Sequence, residues 1–272
     1  MSSKYILRLK AVRPESFLSS TSSVLYALFL AKANLAIFDA VITTICALCL
    51  HAAINVGNDY FDYKKKVDSK NSIYQSSVNK TIYTTTEWFL KCFITLIAIS
   101  IILGIYLTIK TDYLILIIGI ACILTVYLYS GGKKPLANMA FGEFLSFLFF
   151  GPIACCGTYY IQCKSFNNIQ LFNSVSIGLL VSCIMLANNI RDIDTDKKAG
   201  KYTISVRIGK IKSNILYKTF LIIAYTLSIT LGNYFVLLTI PFILLIIKEK
   251  NMQKLMERST LLVFLYSICL ML

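Results

Sequence analysis

Hydrophobic stretches of about 20 residues recur along almost the whole chain, and this recurrence limits the fold more than any other feature. A transmembrane helix needs about 20 predominantly apolar residues to cross the bilayer core. Hydrophobic residues make up 57% of the 272 positions and charged residues only 15%, whereas soluble domains average about 45–50% and about 25%. We therefore predict an all-α, polytopic membrane protein that forms a single domain over residues 1–272.

The boundaries of the apolar stretches predict nine transmembrane helices with short connections. The helices are expected near residues 16–33, 36–57, 88–109, 113–129, 142–161, 171–189, 215–231, 233–247 and 259–272. Most of the nine cysteines fall inside these stretches, and an odd number cannot form a complete disulfide framework. We expect them to be reduced thiols.

The net charge of +14 is distributed unevenly along the chain. Of the 27 lysines and arginines, 23 lie in the N-terminal arm or in alternate connections, and the other four are Lys32, Lys91, Lys110 and Lys164. By the positive-inside rule the N-terminus is cytoplasmic and, with nine helices, the C-terminus is outside. The charge thus indicates orientation in a membrane, expected to be a bacterial plasma membrane, and gives no support to nucleic-acid binding.

Two acidic motifs follow the second and sixth predicted helices, both on the cytoplasmic side. The first contains Asn55, Asn58, Asp59, Asp62 and Asp68, and the second contains Asn188, Arg191, Asp192, Asp196, Lys201 and Arg207. Residues four apart share one face of a helix. Each motif therefore places pairs of oxygen donors side by side, and the repeated spacing suggests a weak internal duplication.

Carboxylates at the end of a transmembrane helix are costly unless a cation or a polar cavity compensates them. Mg²⁺ binds one or two carboxylates together with the phosphate oxygens of a substrate, and neighbouring arginines and lysines can bind the remaining phosphate charge. The two motifs therefore predict a metal-bridged diphosphate site. The alternative is a solvated interfacial loop whose charges only follow the topology.

A third polar element lies between the fourth and fifth predicted helices. The sequence Tyr-Ser-Gly-Gly-Lys places Tyr129 and Lys133 on either side of a flexible turn, which could bring both side chains over an anion. Alone this is weak evidence, because a Gly-Gly turn between two helices needs no function.

These three elements resemble the UbiA superfamily of intramembrane prenyltransferases. The matching sequences are NDYFD, YSGGKKPL and NNIRDIDTDKKAGKYTISVRIG, and they look like the branch that prenylates 1,4-dihydroxy-2-naphthoate in menaquinone synthesis. The resemblance implies a nine-helix bundle around a lipid-open cavity, capped by cytoplasmic loops, in which Mg²⁺ holds a polyprenyl diphosphate. It also implies prenyl transfer to dihydroxynaphthoate with loss of its carboxylate as CO₂.

Together, the motifs and the resemblance predict the functional residues. The expected metal ligands are Asn58, Asp59, Asp62, Asp68, Asn188, Asp192 and Asp196. The expected substrate-binding residues are Asn55, Lys80, Arg191, Lys201 and Arg207, and those expected to act in catalysis are Asp62, Asp192, Tyr129 and Lys133. The chain departs from the branch at Lys66, where glycine is usual, and at 76–79, where a Gly-Pro-x-Arg run is usual; we expect Lys80 to replace the lost basic contact.

Three alternatives remain open. The acceptor could be another aromatic compound such as 4-hydroxybenzoate. A secondary transporter of an anionic solute would also carry intramembrane polar residues, although its site would lie near the bilayer midplane. A CDP-alcohol phosphotransferase would need an Asp-Gly-x-x-Ala-Arg run, which the chain lacks. We expect the single histidine, His51, to serve helix packing, and Glu143 is assigned no role.

Overall fold

The computed structural model describes residues 3–64 and 77–272. Within these ranges every regular element is a helix, as the composition predicts. The α-helices are α1 (Ser3–Val12), α2 (Phe17–Leu30), α3 (Ile37–Lys64), α4 (Ser77–Lys110), α5 (Tyr113–Ser130), α6 (Gly142–Leu148), α7 (Ala154–Cys163), α8 (Asn168–Arg191), α9 (Ile193–Lys198), α10 (Ile204–Thr230), α11 (Ile240–Ile247) and α12 (Met252–Cys269).

Five helices are long and apolar enough to cross a membrane. They cover Ile37–Asp62, Glu87–Lys110, Tyr113–Ser130, Gly142–Cys163 and Asn168–Arg191, which confirms the prediction of a membrane-helix protein. The other four predicted stretches overlap α2, α10, the segment Tyr234–Ile247 and α12. Among the described residues, these four segments are not both long enough and apolar enough to count as membrane-spanning helices. The count of nine transmembrane helices therefore stays a prediction.

Polar side chains fix the start of several helices. The carboxylate of Asp112 accepts a hydrogen bond from the backbone N–H of Leu114 over 2.8 Å at the start of α5, and Asn167 accepts one from Ile169 at the start of α8. Such caps satisfy amide groups that have no partner within the helix. They explain how short connections can turn the chain between long apolar helices.

Helix α8 is the central helix of the bundle. In its membrane segment 61% of residues are buried, against 17% in those of α4 and α5. It packs on α6, α10 and α12, and a Cβ added to Gly151 would lie 2.6 Å from the Cα of Gly178, so the two backbones are nearly in contact. Small residues permit this close approach between membrane helices.

One π-helical turn, Phe149–Ile153, joins α6 to α7 and contains Pro152. The wider turn accommodates a proline that would break a regular α-helix. On the outside of the bundle, Ile37, Ile102 and Ile109 are among many exposed large apolar side chains, as expected of a surface that faces lipid. All nine cysteines lie in the described ranges and are free thiols.

Candidate active site

The last two turns of α3 carry the first acidic motif. Asp59 and Asp62 are 6% and 5% exposed, so their carboxylates are almost completely removed from solvent. A buried carboxylate stays ionised only with a cation or several hydrogen-bond donors near it. Both aspartates have a cation, and the two cations come from distant parts of the chain.

Asp59 pairs with Arg13, whose Nη2 donates to Oδ1 over 2.6 Å. Arg13 lies between α1 and α2 with left-handed backbone angles (φ 55, ψ 57). The Asp59 carboxylate raises the pKa of Arg13 above its usual value, with smaller contributions from Glu15, Tyr129 and Asp62, against the opposing effect of burial. Sequence reasoning counted Arg13 only as a topological charge; the signal that could have found it is its position immediately before the proline that opens the first apolar stretch.

A hydrogen-bond network supports the backbone of Arg13. The Ser16 hydroxyl donates to the carbonyl oxygen of Arg13 over 2.7 Å. A hydroxyl has one proton to donate, so Ser16 must accept from both Asn55 Nδ2 at 3.3 Å and His51 Nε2 at 3.2 Å. Asn55, predicted to bind substrate, therefore helps to position Arg13. His51 is buried between helices and hydrogen-bonded to a neighbour.

Asp62 pairs with Lys201, whose Nζ donates to Oδ2 over 2.8 Å. Lys201 follows α9, and its backbone N–H donates to the carbonyl oxygen of Asp196 over 2.9 Å. Asp196 is itself buried. Through Lys201 the structure brings the two acidic motifs together, as the prediction of one shared site requires.

The second motif contains its own cation. Arg191 forms a bidentate pair with Asp192, through Nε to Oδ1 at 2.8 Å and Nη2 to Oδ2 at 2.6 Å. Its Nη2 also donates to Asn188 Oδ1 over 2.6 Å, and its Nη1 donates to Gln253 on α12. Arg191 thus pairs with Asp192 and attaches the second motif to the C-terminal helix.

Tyr129 lies at the buried end of α5, beside the first motif. Its hydroxyl is 3.7 Å from the sulfur of Met185, and the next residue, Ser130, donates to Asn58 Oδ1 over 2.9 Å. Lys133, beyond the glycine turn, is exposed. The two members of the predicted Tyr129–Lys133 pair therefore differ in burial. The tyrosine faces the interior of the bundle, and the lysine lies at its surface.

The remaining predicted residues lie at the periphery or outside the described part of the chain. Arg207 is exposed, and its Nε donates to the carbonyl oxygen of Tyr202 over 3.0 Å. Asp68 lies outside the described residues, as does the departure at Lys66. Lys80 belongs to α4, but its side chain is not described. The structure therefore gives no side-chain contacts for Lys66, Asp68 and Lys80, and it places Arg207 at the surface.

Within residues 3–64 and 77–272, no group of three or more histidine, cysteine, aspartate or glutamate side chains is gathered as a preformed metal cage. The two motifs instead offer separate carboxylate and amide oxygens next to cations. This donor set suits Mg²⁺, which binds few protein ligands and completes its coordination with phosphate oxygens and water. The residues thus fit a metal that arrives with an anionic ligand.

An apolar cavity of about 220 Å³ begins at this polar end and runs into the bundle between α2, α3, α5 and α6–α7. Tyr129, Asn55 and His51 line its polar end, whereas Leu107, Ile115 and Ile161 line the far end. From Ile115 to Tyr129 α5 rises about 21 Å. Such a cavity fits an elongated apolar ligand whose polar end lies near Asn55 and Tyr129.

A buried carboxyl group near the cavity was left without a role by the sequence. Glu143 is 2% exposed, and its Oε1 accepts from Asn189 Nδ2 over 2.8 Å. This contact joins the start of α6 to the end of α8. Gly142, the preceding residue, lies close to Tyr129, since a Cβ added there would be 3.7 Å from the tyrosine hydroxyl. Glu143 therefore supports the wall behind Tyr129.

The model of the UbiA prenyltransferase family matches residues 20–268. Among curated proteins, the chain is 32% identical to a 1,4-dihydroxy-2-naphthoate octaprenyltransferase of Mycobacterium tuberculosis and 30% identical to one of Bacillus subtilis. Each match covers 71% of this chain and 66% or 62% of the relative, so the matched region spans less than two thirds of either relative. The human UbiA prenyltransferase domain-containing protein 1 is 30% identical over 85% of this chain and 71% of its own.

Solved structures share the fold, including two UbiA homologues. One is a UbiA homologue from Aeropyrum pernix K1, with a TM-score of 0.68, 15% identity and coverage of 94% of both chains. The other is a UbiA homologue from Archaeoglobus fulgidus bound to DMAPP and Mg²⁺, with a TM-score of 0.62, 15% identity and coverage of 96% of this chain and 84% of that one.

Proposed function

The chain belongs to the UbiA prenyltransferase family, and from this premise we propose that it transfers a polyprenyl group from its diphosphate to 1,4-dihydroxy-2-naphthoate, with loss of CO₂, to give the dihydroxy (quinol) form of demethylmenaquinone. The observation that carries the proposal is that the apolar cavity ends at Asn55 of the first motif, one helical turn before the buried Asp59. An elongated apolar space thus ends close to paired charges, as a prenyl diphosphate requires. The family assignment also favours an enzyme over a transporter or a CDP-alcohol phosphotransferase.

We further propose that the chain is an integral protein of a bacterial plasma membrane, with nine transmembrane helices around a lipid-open cavity. The charge distribution supports a cytoplasmic N-terminus, cytoplasmic motif loops and an external C-terminus. In this orientation a polyprenyl donor reaches the cavity from the lipid, and a soluble acceptor reaches the motifs from the cytoplasm.

The diphosphate would lie between Asp62 and Asp192 and their neighbouring cations. Asn58, Asp59, Asp62, Asn188, Asp192 and Asp196 supply the oxygen donors that would hold Mg²⁺, with Asp68 proposed as a further ligand. The Archaeoglobus homologue, whose structure was solved with DMAPP and Mg²⁺ bound, supports the use of Mg²⁺ with a prenyl diphosphate. The chemistry that bound Mg²⁺ would supply is neutralisation of the charge that develops on the leaving diphosphate.

The residues of the chain would then have distinct tasks. Lys201 and Arg13, already next to the buried aspartates, would stabilise the diphosphate as the allylic C–O bond breaks and its electron pair leaves with the oxygen. We propose that Lys133 and Arg207, which are exposed, bind the same anion from the surface side, and that Lys80 supplies a further basic contact. The apolar cavity walls would exclude water from the allylic cation, and the face of the Tyr129 ring would stabilise its positive charge.

The electron-rich ring of the acceptor would attack the allylic cation and form the new C–C bond. The carboxylate leaves as CO₂, and its bonding electrons restore the aromatic ring. The names of the Mycobacterium and Bacillus relatives support dihydroxynaphthoate as acceptor. The basic residues at the motif end would raise the encounter rate of an anionic acceptor.

A side-by-side assay tests the acceptor. Membranes that contain the protein are given labelled polyprenyl diphosphate with either 1,4-dihydroxy-2-naphthoate or 4-hydroxybenzoate. We expect transfer to the naphthoate together with release of its carboxyl carbon as CO₂, and much weaker transfer to 4-hydroxybenzoate. Transfer to 4-hydroxybenzoate alone would keep the family chemistry and contradict the proposed acceptor.

A further inference from the structure

A second apolar cavity lies at the end of the bundle opposite the aspartates. Its volume is about 310 Å³, and its walls come from α5, the π-helical turn, α7 and the start of α8. Leu171 and Phe166 at its edge are 46% and 60% exposed, so this cavity borders the surface of the bundle. None of the functional residues discussed above lines it.

The two cavities share part of their walls. Ile118, Ile153 and Gly157 line both of them. The partition therefore consists of two branched side chains and one residue without a side chain. A Cβ added to Gly157 would have no heavy atom within 4 Å, so the space beside this glycine is open.

The π-helical turn forms one side of this partition. Its residues Phe149, Phe150 and Ile153 face the first cavity, and Pro152 and Ile153 face the second. Gly151 holds the turn tightly against α8, because its backbone nearly touches that of Gly178. We call the shared wall at Ile118, Ile153 and Gly157 the neck. The space there exists because Gly157 has no side chain.

The first cavity is shorter than a long prenyl chain. It extends about 21 Å along α5, whereas eight extended isoprene units are longer than the roughly 30 Å bilayer core. We infer that the distal isoprene units of the donor pass the neck at Gly157 and occupy the second cavity, which is their exit to lipid between α5 and α7. This inference rests on the proposed function and adds a path for the tail.

Photo-crosslinking tests the path without requiring turnover. The probes are two prenyl diphosphates, one of octaprenyl and one of geranyl length, each with a diazirine at the end of the tail. In the unaltered protein we expect the octaprenyl probe to label the peptide around Phe166–Leu171. The geranyl probe should label only residues near Tyr129, since Gly157 lies about 18 Å along the helix from Leu145 at the polar end.

Gly157→Leu places a side chain in the neck. We assume that the leucine prevents about two methylene groups of the tail from being buried. The affinity for the long probe and its labelling of the second cavity should then fall on the order of tenfold. The geranyl probe should be unaffected. Ala121→Leu is the control, because Ala121 also lies on a helix that bounds both cavities but is exposed and lines neither of them; it should retain long-probe labelling at Phe166–Leu171.

Two results would overturn the exit: long-probe labelling confined to α3 and α4 in the unaltered protein, or equal loss of second-cavity labelling in Gly157→Leu and Ala121→Leu. The proposed function is tested separately, by transfer to dihydroxynaphthoate. Labelling of the second cavity without transfer would refute the acceptor chemistry and keep the path. Transfer without such labelling would refute the path alone.

Discussion

Lys201 Nζ and Asp62 Oδ2 lie 2.8 Å apart although the two residues are separated by 139 positions in the chain. Both side chains are largely buried, with exposures of 17% and 7%. The pair therefore connects the end of α3 to the segment after α9 and sets the relative position of the two acidic motifs. The sequence motifs suggest a cluster of aspartates that repel one another. In the structure, Asp59 and Asp62 are each paired with a basic side chain.

This pairing changes what removal of an aspartate should do. Repulsion among the aspartates alone would predict that Asp62→Ala leaves stability nearly unchanged. Because Lys201 would be left buried without its partner, we instead expect Asp62→Ala to abolish transfer and to destabilise the protein by about 3 kcal/mol. Asp62→Ala/Lys201→Met should recover part of the stability but none of the activity, as measured by thermal unfolding in detergent. Equal melting temperatures for the single and double variants would contradict the pairing.

Arg13 provides a second prediction. We expect Arg13→Met to lower the rate of transfer strongly and to cost about 1–3 kcal/mol of stability, because Asp59 loses its cation in a buried setting. Lys10→Met is the control, since Lys10 is exposed on the preceding helix and its replacement removes the same charge. Similar losses in both variants would show that the net charge of the N-terminal arm matters rather than the Arg13–Asp59 contact.

The proposed metal site predicts a dependence on divalent cations. EDTA should abolish transfer, and added Mg²⁺ should restore it. Asp192→Asn should raise the Mg²⁺ concentration needed for half-maximal activity by roughly 10–100-fold, because one charged ligand becomes neutral. Asp194→Asn is the control, as Asp194 is exposed. Transfer that is undiminished by EDTA would rule out the metal site.

The local features of the fold and the site could be predicted from the sequence. Apolar stretches and the acidic residues at the ends of α3 and α8 are sequence patterns. The helices overlap the predicted stretches, although α10 begins at Ile204 and α12 at Met252, before the predicted 215 and 259. The Arg13–Asp59 contact could not be predicted, because it joins residues 46 positions apart through a left-handed backbone turn. The second cavity also lacks a motif, since its walls are ordinary apolar residues from four elements.

Orientation in the membrane is tested by cysteine labelling. In a background without native cysteines, Lys198→Cys should react with an impermeant reagent only from the cytoplasmic side, and Lys110→Cys only from outside. Both lysines are exposed, so accessibility within the protein should not differ. The reverse pattern would overturn the proposed orientation and the arrival of the acceptor from the cytoplasm.

The contact between Gly151 and Gly178 predicts a sharp difference between two neighbouring glycines. A Cβ at Gly151 would lie 2.6 Å from the Cα of Gly178 and 2.7 Å from the carbonyl oxygen of Ser174. Both are backbone atoms that cannot rotate away, so Gly151→Ala must push the π-helical turn from α8, at a cost of about 1–3 kcal/mol or more.

Gly157→Ala is the matched control, because its Cβ meets no atom within 4 Å and alanine favours the helix by about 1 kcal/mol. We therefore expect Gly151→Ala to lower the melting temperature in detergent and Gly157→Ala to leave it unchanged or raise it. Since the turn also forms the partition between the two cavities, Gly151→Ala should weaken the discrimination between prenyl donors of different length even in the fraction that folds. Equal stability of the two variants would show that the backbones do not pack as closely as the structure indicates.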